Sequence, residues 1–221
     1  MEFASDLIWQ QLEGPDDGPL VIFTHGAGAG PQSEFMQAIS HHLVAEGIGV
    51  FRFEFEYMSQ VRLQQRKRPP SRQPKLQQEL ASVVSTVKHQ QPNRSLWLMG
   101  KSMGARVAFQ VADALDVEGC IGLGFPFHPA AKPNTTRTHE LVNQRMHNFI
   151  VQGERDALGS REVVATQSLP SNLYIHWVPA ANHDLVPLKS SQITAQESWY
   201  LIALQVAHFI KDPEWRLSLY Q

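Results

Sequence analysis

Ser102 stands in Gly100-Lys101-Ser102-Met103-Gly104, between the apolar run Leu96-Trp97-Leu98-Met99 and a helical stripe at Val107, Ala108, Val111 and Leu115. Two chemistries use such a segment: phosphate cradling by a Gly-rich loop, and nucleophilic attack by a serine. A phosphate loop needs Gly-x-x-x-x-Gly-Lys-Ser/Thr, and Ser95 occupies the place of its first glycine. The residues between read as a buried strand, not as a flexible cradle. A nucleophile elbow fits better. It needs a strand, an abrupt turn and a helix, with serine at the apex in a strained backbone conformation. Glycines two residues to either side let strand and helix approach without Cβ clashes. The start of the helix offers free amides and a positive dipole end to a developing anion.

A hydroxyl attacks at neutral pH only when a base takes its proton and a third group orients that base. In a strand–elbow–helix arrangement the chain order is Ser, acid, His. Phe149-Ile150-Val151-Gln152-Gly153-Glu154-Arg155-Asp156 places carboxylates just past a strand. Asp156 is the first choice for the acid and Glu154 the second. Pro179-Ala180-Ala181-Asn182-His183-Asp184 follows the last apolar strand pattern and offers His183 as the base. His176 is the rival, but it falls inside that strand. His208 falls in the last helical stripe. His128 follows the Ile121–Phe125 strand and is a candidate for lining the pocket, together with His25 and Tyr57.

An oxyanion hole is the remaining part. Its first donor is expected to be the amide of Met103, the residue after the nucleophile. The second is expected from His25-Gly26-Ala27-Gly28-Ala29-Gly30, with Ala27 first and Gly28 next, Gly28 also being a pocket-lining candidate. A dinucleotide fingerprint would compete for this loop. Gly-x-Gly-x-x-Gly fails there, because Pro31 or Ser33 takes the third glycine position. Glu54 or Glu56 would be the ribose acceptor in that reading.

The elements that must position these residues alternate along the chain. Strands are expected at Leu20–Thr24, Val50–Phe55, Leu96–Met99, Ile121–Phe125, Asn148–Val151 and Leu173–Val178, with Phe3–Leu12 as an extra edge strand. Helical stripes run through Phe35, Met36, Ile39, Leu43 and Val44, through Leu76 to Val87, and along Ala195–Ile210, with Pro213 just beyond. Shorter helices are expected near Glu140–Arg145 and Arg161–Ser168. Alternation of this kind implies an α/β fold with a doubly wound, mostly parallel sheet and its site at the carboxyl ends of the strands.

Length and composition narrow the function. The 221 residues suit a single α/β domain over 1–221. The net charge of −2 argues against a general nucleic-acid binder. One cysteine, Cys120, excludes a disulfide framework and any zinc site built on several cysteines. The first residues carry no basic stretch followed by an apolar one, and no apolar run approaches the ~20 residues of a membrane helix. A soluble cytoplasmic protein, with no signal peptide and no membrane contact, is expected. Arg62, Arg66, Lys67, Arg68 and Arg72 crowd one segment, read either as a solvated loop or as an anion-attracting rim of the pocket. Arg106 is expected to pin the elbow helix through a carboxylate.

Taken together, "THGAGAG", "GKSMGAR", "GFPFHP", "GERDALG" and "ANHDL" resemble the α/β-hydrolase superfamily. More narrowly they resemble its small lidless, dienelactone-hydrolase-like group, which includes testis-expressed and chromatin-complex subunit proteins. The resemblance runs from about Val21 to the final helix. It implies Ser102, Asp156 and His183 as a triad, a minimal fold without a large lid, and neither metal nor organic cofactor. Ala105 departs from it where a second glycine is common. Glu54 and Glu56 depart where asparagine and proline are common. The expected function is cleavage of an ester or thioester of a small or extended acyl substrate through an acyl-enzyme. The alternative is a silent hydrolase-like scaffold or binding module for a protein partner.

Overall fold

The computed structural model describes residues 9–141 and 146–219. Seven strands form one sheet: β1 (Gln10–Glu13), β2 (Leu20–Thr24), β3 (Gly49–Phe53), β4 (Leu96–Lys101), β5 (Gly119–Leu123), β6 (His147–Gly153) and β7 (Leu173–Val178). Their spatial order is β1-β3-β2-β4-β5-β6-β7. β1 runs antiparallel to β3, and every other neighbouring pair is parallel. The helices are α1 (Glu34–Ala45), α2 (Glu56–Gln64), α3 (Gln73–Gln90), α4 (Met103–Ala112), α5 (Arg161–Val164), α6 (Ala195–Lys211) and α7 (Pro213–Ser218).

Strand residues face opposite sides in alternation, so each central strand feeds two cores. Leu20, Ile22, Leu96, Leu98 and Ile150 pack with Leu76, Leu80 and Val84 of α3 and Val107 and Phe109 of α4. Val21, Phe23, Trp97, Met99, Phe149 and Val151 pack with Ile39 and Leu43 of α1 and Ile202, Val206 and Phe209 of α6. This is the doubly wound α/β architecture expected from the alternating runs. Among the described residues no helical insertion covers the carboxyl edge as a lid.

Several boundaries differ from the expected ones, each for a local reason. β3 stops at Phe53, because the Phe55 amide donates to His25 Nε2 at 3.1 Å and Phe55 becomes the residue capping α2. The basic segment is not one loop. Arg62 lies on α2 and pairs with buried Glu54 at 2.9 Å, and Arg72 caps α3. Between them, Arg68 is tied to Gln60 and Gln64. The helix expected over Arg161–Ser168 ends at Val164, and the Thr166 hydroxyl takes the Val163 carbonyl at 2.8 Å. The helix expected near Glu140–Arg145 is a 3-10 turn at Thr138–Glu140, and residues 142–145 lie outside the described residues. The edge strand expected over Phe3–Leu12 is met in part by β1, which starts at Gln10 and runs on to Glu13, while 3–8 likewise lie outside the described residues. Pro213 does not simply end the chain's last helix. It opens α7, with the Asp212 carboxylate accepting from the Trp215 amide at 2.9 Å.

No helix among the described residues is long and apolar enough to cross a membrane. Cys120 is fully buried, and burial pushes its thiol well above the usual range, as befits a small core residue.

Candidate active site

The site forms where β4 gives way to α4. Ser102 sits between them with φ 53° and ψ −110°, a conformation that L-residues avoid. The turn is held by its surroundings. The Ser102 amide donates to Leu123 O on β5 at 3.0 Å, and the Thr24 hydroxyl donates to Met99 O at 3.1 Å. A Cβ at Gly104 would lie 2.6 Å from the Thr24 carbonyl, and one at Gly100 would overlap the backbone of Gly104 and Ala105. Only glycine lets strand and helix meet this closely. Arg106 anchors α4 through buried Glu140, Nε donating to Oε2 at 2.8 Å, which is the carboxylate contact expected of it.

The loop after β7 brings His183 to the hydroxyl. His183 Nε2 lies 2.9 Å from Ser102 Oγ, and its Nδ1 lies 2.8 Å from Asp156 Oδ2. Asp156 is fully buried past the end of β6. Its Oδ1 accepts from the Leu158 amide at 2.8 Å, and Oδ2 also accepts from Gln152 Nε2 at 2.9 Å. A carboxylate so placed accepts the hydrogen bond of Nδ1–H, which keeps the proton on Nδ1 and leaves the lone pair on Nε2, facing the serine. Glu154, the second choice of acid, turns elsewhere. It accepts from the Ala180 amide at 3.0 Å and pairs with Arg161 at 2.8 Å, and both contacts hold its carboxyl below the usual range. His176 stays within β7, and His208 pairs with Asp212 on the far helix.

The Gly-rich loop after β2 faces the serine from the other side. A cavity of about 340 Å³ opens there, lined by Gly26, Ala27, Gly28, Ala29, Ser33, Phe35, Met36, Lys101, Ser102, His183 and Asp184. Gly28 therefore lines the pocket as expected. His25, Tyr57 and His128 do not line this cavity. His25 and Tyr57 lie behind the loop and hold its carbonyls. His25 Nδ1 is 2.8 Å from Gly26 O, and the Tyr57 hydroxyl is 3.1 Å from Ala27 O and 3.3 Å from Gly26 O. Because a trans peptide points its N–H opposite its C=O, the amides of Ala27 and Gly28 point away from Tyr57. Met103, at the first turn of α4, has an amide with no partner within its helix. Burial pushes the His25 imidazole down to about 4, so it stays neutral, accepting from Phe55 N on Nε2 and donating from Nδ1. His128 is packed after β5 with Nδ1 3.1 Å from Pro129 O.

Two contributors escaped the sequence reading. Gln152 is fully buried, and its amide nitrogen reaches Asp156, Phe125 O and Gly159 O. The signal was a lone polar residue inside an apolar strand run. Lys101, set aside with the phosphate-loop reading, lies between the serine strand and the histidine loop. No group of His, Cys, Asp and Glu among the described residues is arranged to hold a metal ion.

A family model described as an alpha/beta hydrolase domain matches residues 17–211. The chain belongs to the alpha/beta hydrolase family. Solved structures of this hydrolase fold align over nearly all of it. An α/β serine hydrolase homologue from Coxiella burnetii is 17% identical, with TM-score 0.69, over 90% of this chain and 91% of that one. Dienelactone hydrolase from Anabaena variabilis is 16% identical, with TM-score 0.70, over 91% and 89%. A lidless α/β serine hydrolase from Xanthomonas campestris is 20% identical, with TM-score 0.65, over 92% and 85%. At these identities the likeness is one of fold. No curated protein matches this hydrolase chain.

Proposed function

We propose that this protein is a serine hydrolase that cleaves an ester or thioester of a small-molecule acyl substrate. The observation that carries the reading is the continuous chain of contacts from Ser102 Oγ to His183 Nε2 at 2.9 Å and from His183 Nδ1 to Asp156 at 2.8 Å. Ser102 Oγ attacks the substrate carbonyl carbon while its proton passes to His183 Nε2. The imidazolium is stabilised by Asp156. The tetrahedral oxyanion is held by the amides of Met103 and Ala27, a contribution of ~3 kcal/mol for each donor in comparable sites. Collapse expels the alkoxide or thiolate, which takes the proton from His183. Water then repeats the sequence on the acyl-serine and restores the hydroxyl.

The cavity wall of Ala27, Gly28, Ala29, Phe35 and Met36 is apolar, which suits a short acyl chain or one that extends into solvent. Membership of the small lidless group within the family, as the "GKSMG" and "ANHDL" segments suggest, fits an open site of this kind. The test is hydrolysis of nitrophenyl esters and thioesters of graded chain length. Wild type is expected to turn over the short ones, and Ser102→Ala to lose at least ~1,000-fold in kcat. Equal rates for both proteins would end the proposal.

A further inference from the structure

The loop that carries His183 is held by its carbonyls. Trp199 Nε1 donates to Asp184 O at 3.1 Å, and the Ser198 hydroxyl donates to Leu185 O at 2.8 Å, both from α6. The His183 carbonyl is taken from a different quarter. Lys101 Nζ donates to it at 2.6 Å. Lys101 is the last residue of β4 and the chain neighbour of Ser102. One side chain therefore ties the base directly to the strand that presents the nucleophile. The loop also closes on itself, with Asn182 Oδ1 accepting from the Asp184 and Val186 amides. Those bonds shape the turn without fixing where it lies relative to Ser102.

The setting of this lysine is unusual for a mere surface anchor. It is only 8% exposed, and its ammonium lies 3.6 Å from Asp184 Oδ1 and 5.8 Å above the Phe35 ring. Burial pulls it below the ordinary lysine value, while Asp184 and, further off, Asp156 oppose that. A buried ammonium is costly, and methionine would fill the same space without that cost. Gly124, with φ +64°, leaves the room: a Cβ there would lie 3.1 Å from Nζ and 2.8 Å from His183 O.

We infer that Lys101 is a positioning residue, holding the His183 carbonyl so that the imidazole keeps its 2.9 Å approach to Ser102. The inference rests on the hydrolase reading above. Its use of the lysine is mechanical: the contact is to backbone, and a displacement near 1 Å at the base is enough to cost ~100-fold in rate.

The test is the saturation kinetics of labelling by an alkyl fluorophosphonate, which separates the limiting rate from the half-saturation concentration. Lys101→Met is expected to lower the limiting rate at least tenfold at unchanged half-saturation and with cooperative thermal unfolding retained. Lys101→Arg, which keeps a donor, is expected to recover part of the rate, and amide hydrogen exchange over 183–186 is expected to rise in the methionine variant only. An unchanged limiting rate in Lys101→Met overturns the inference while leaving the hydrolase reading intact. A raised half-saturation alone would make the lysine a ligand contact and overturn it as well. Loss of folding in Lys101→Met with no recovery of rate in a folded Lys101→Arg would also overturn it. Failure of wild type to label at all would remove the hydrolase reading and this inference with it.

Discussion

Gln152 and Asp156 share a buried pocket in which each polar atom has few alternatives. The glutamine nitrogen serves Asp156 Oδ2 at 2.9 Å together with two carbonyls, at Phe125 and Gly159. Replacing Gln152 by Leu takes this donor from the buried Phe125 and Gly159 carbonyls and leaves Asp156 Oδ2 with His183 Nδ1 alone. The expected loss is ~1–3 kcal/mol of stability, read in chemical denaturation, together with a fall in kcat larger than any change in KM. A variant as stable and as active as wild type would show that Asp156 is oriented by its other contacts alone. Ser102, Asp156 and His183 were legible in the sequence because each falls just past a strand, and position relative to a strand end is a local property. Lys101 and Gln152 were not: the His183 carbonyl that Lys101 holds lies far along the chain, and Gln152 sits inside a strand run, where spacing does not reveal that its amide turns to Asp156 and to the Phe125 and Gly159 carbonyls. His25 and Tyr57, expected to line the pocket, stand behind the Gly-rich loop against its carbonyls. Sequence spacing does not distinguish a side chain that faces the cavity from one that supports its wall.

Strand, turn and helix at the elbow are over-determined, and the turn stores strain. Ser102 is held at φ 53° and ψ −110° by Leu123 on one side and by the close β4–α4 approach on the other. Glycine accepts that backbone and alanine does not. Ser102→Gly and Ser102→Ala lose the same hydroxyl, so their difference isolates the strain. Ser102→Gly is expected to be the more stable by about 1 kcal/mol, or roughly 2–4 °C in Tm for a chain of this size. A glycine variant that melts at or below the alanine variant would mean that the turn is relaxed. The central strands were readable from four- and five-residue apolar runs. α2 was not read, since its buried Tyr57 and Met58 are wedged between a strand pattern and an arginine-rich stretch. Pro213, expected only to lie just beyond the last helical stripe, opens a further helix behind the Asp212 cap.

At the scale of the whole molecule, buried His25 and the partly buried His176, His147 and His42 contribute to the response to acid. Burial is the leading cause pushing His25 to about 4, and it also lowers His176, His147 and His42 from the ordinary 6.5. Below 6.5 the unfolded chain binds protons that these folded sites refuse, so stability falls as pH drops from 6.5 towards 4. Glu79, raised by burial, works in the opposite sense. His25 alone accounts for a loss on the order of 3 kcal/mol across that window. Melting temperatures are expected to hold from pH 7.5 to about 6.5 and to decline from there to pH 4.5. In His25→Gln, which can donate and accept without titrating, the decline is expected to be shallower. The same slope in both proteins would assign the acid sensitivity to other groups.

The most direct measurement of the central claim is covalent capture of the nucleophile. Wild-type protein is treated with a fluorophosphonate, and the adduct is located by peptide mass mapping, with Ser102→Ala and His183→Ala treated in parallel. The expected result is one adduct on Ser102, absent from Ser102→Ala and formed far more slowly in His183→Ala. A folded wild-type protein that takes no adduct, or an adduct on another residue that survives Ser102→Ala, would contradict the assignment of Ser102, His183 and Asp156 as a working triad.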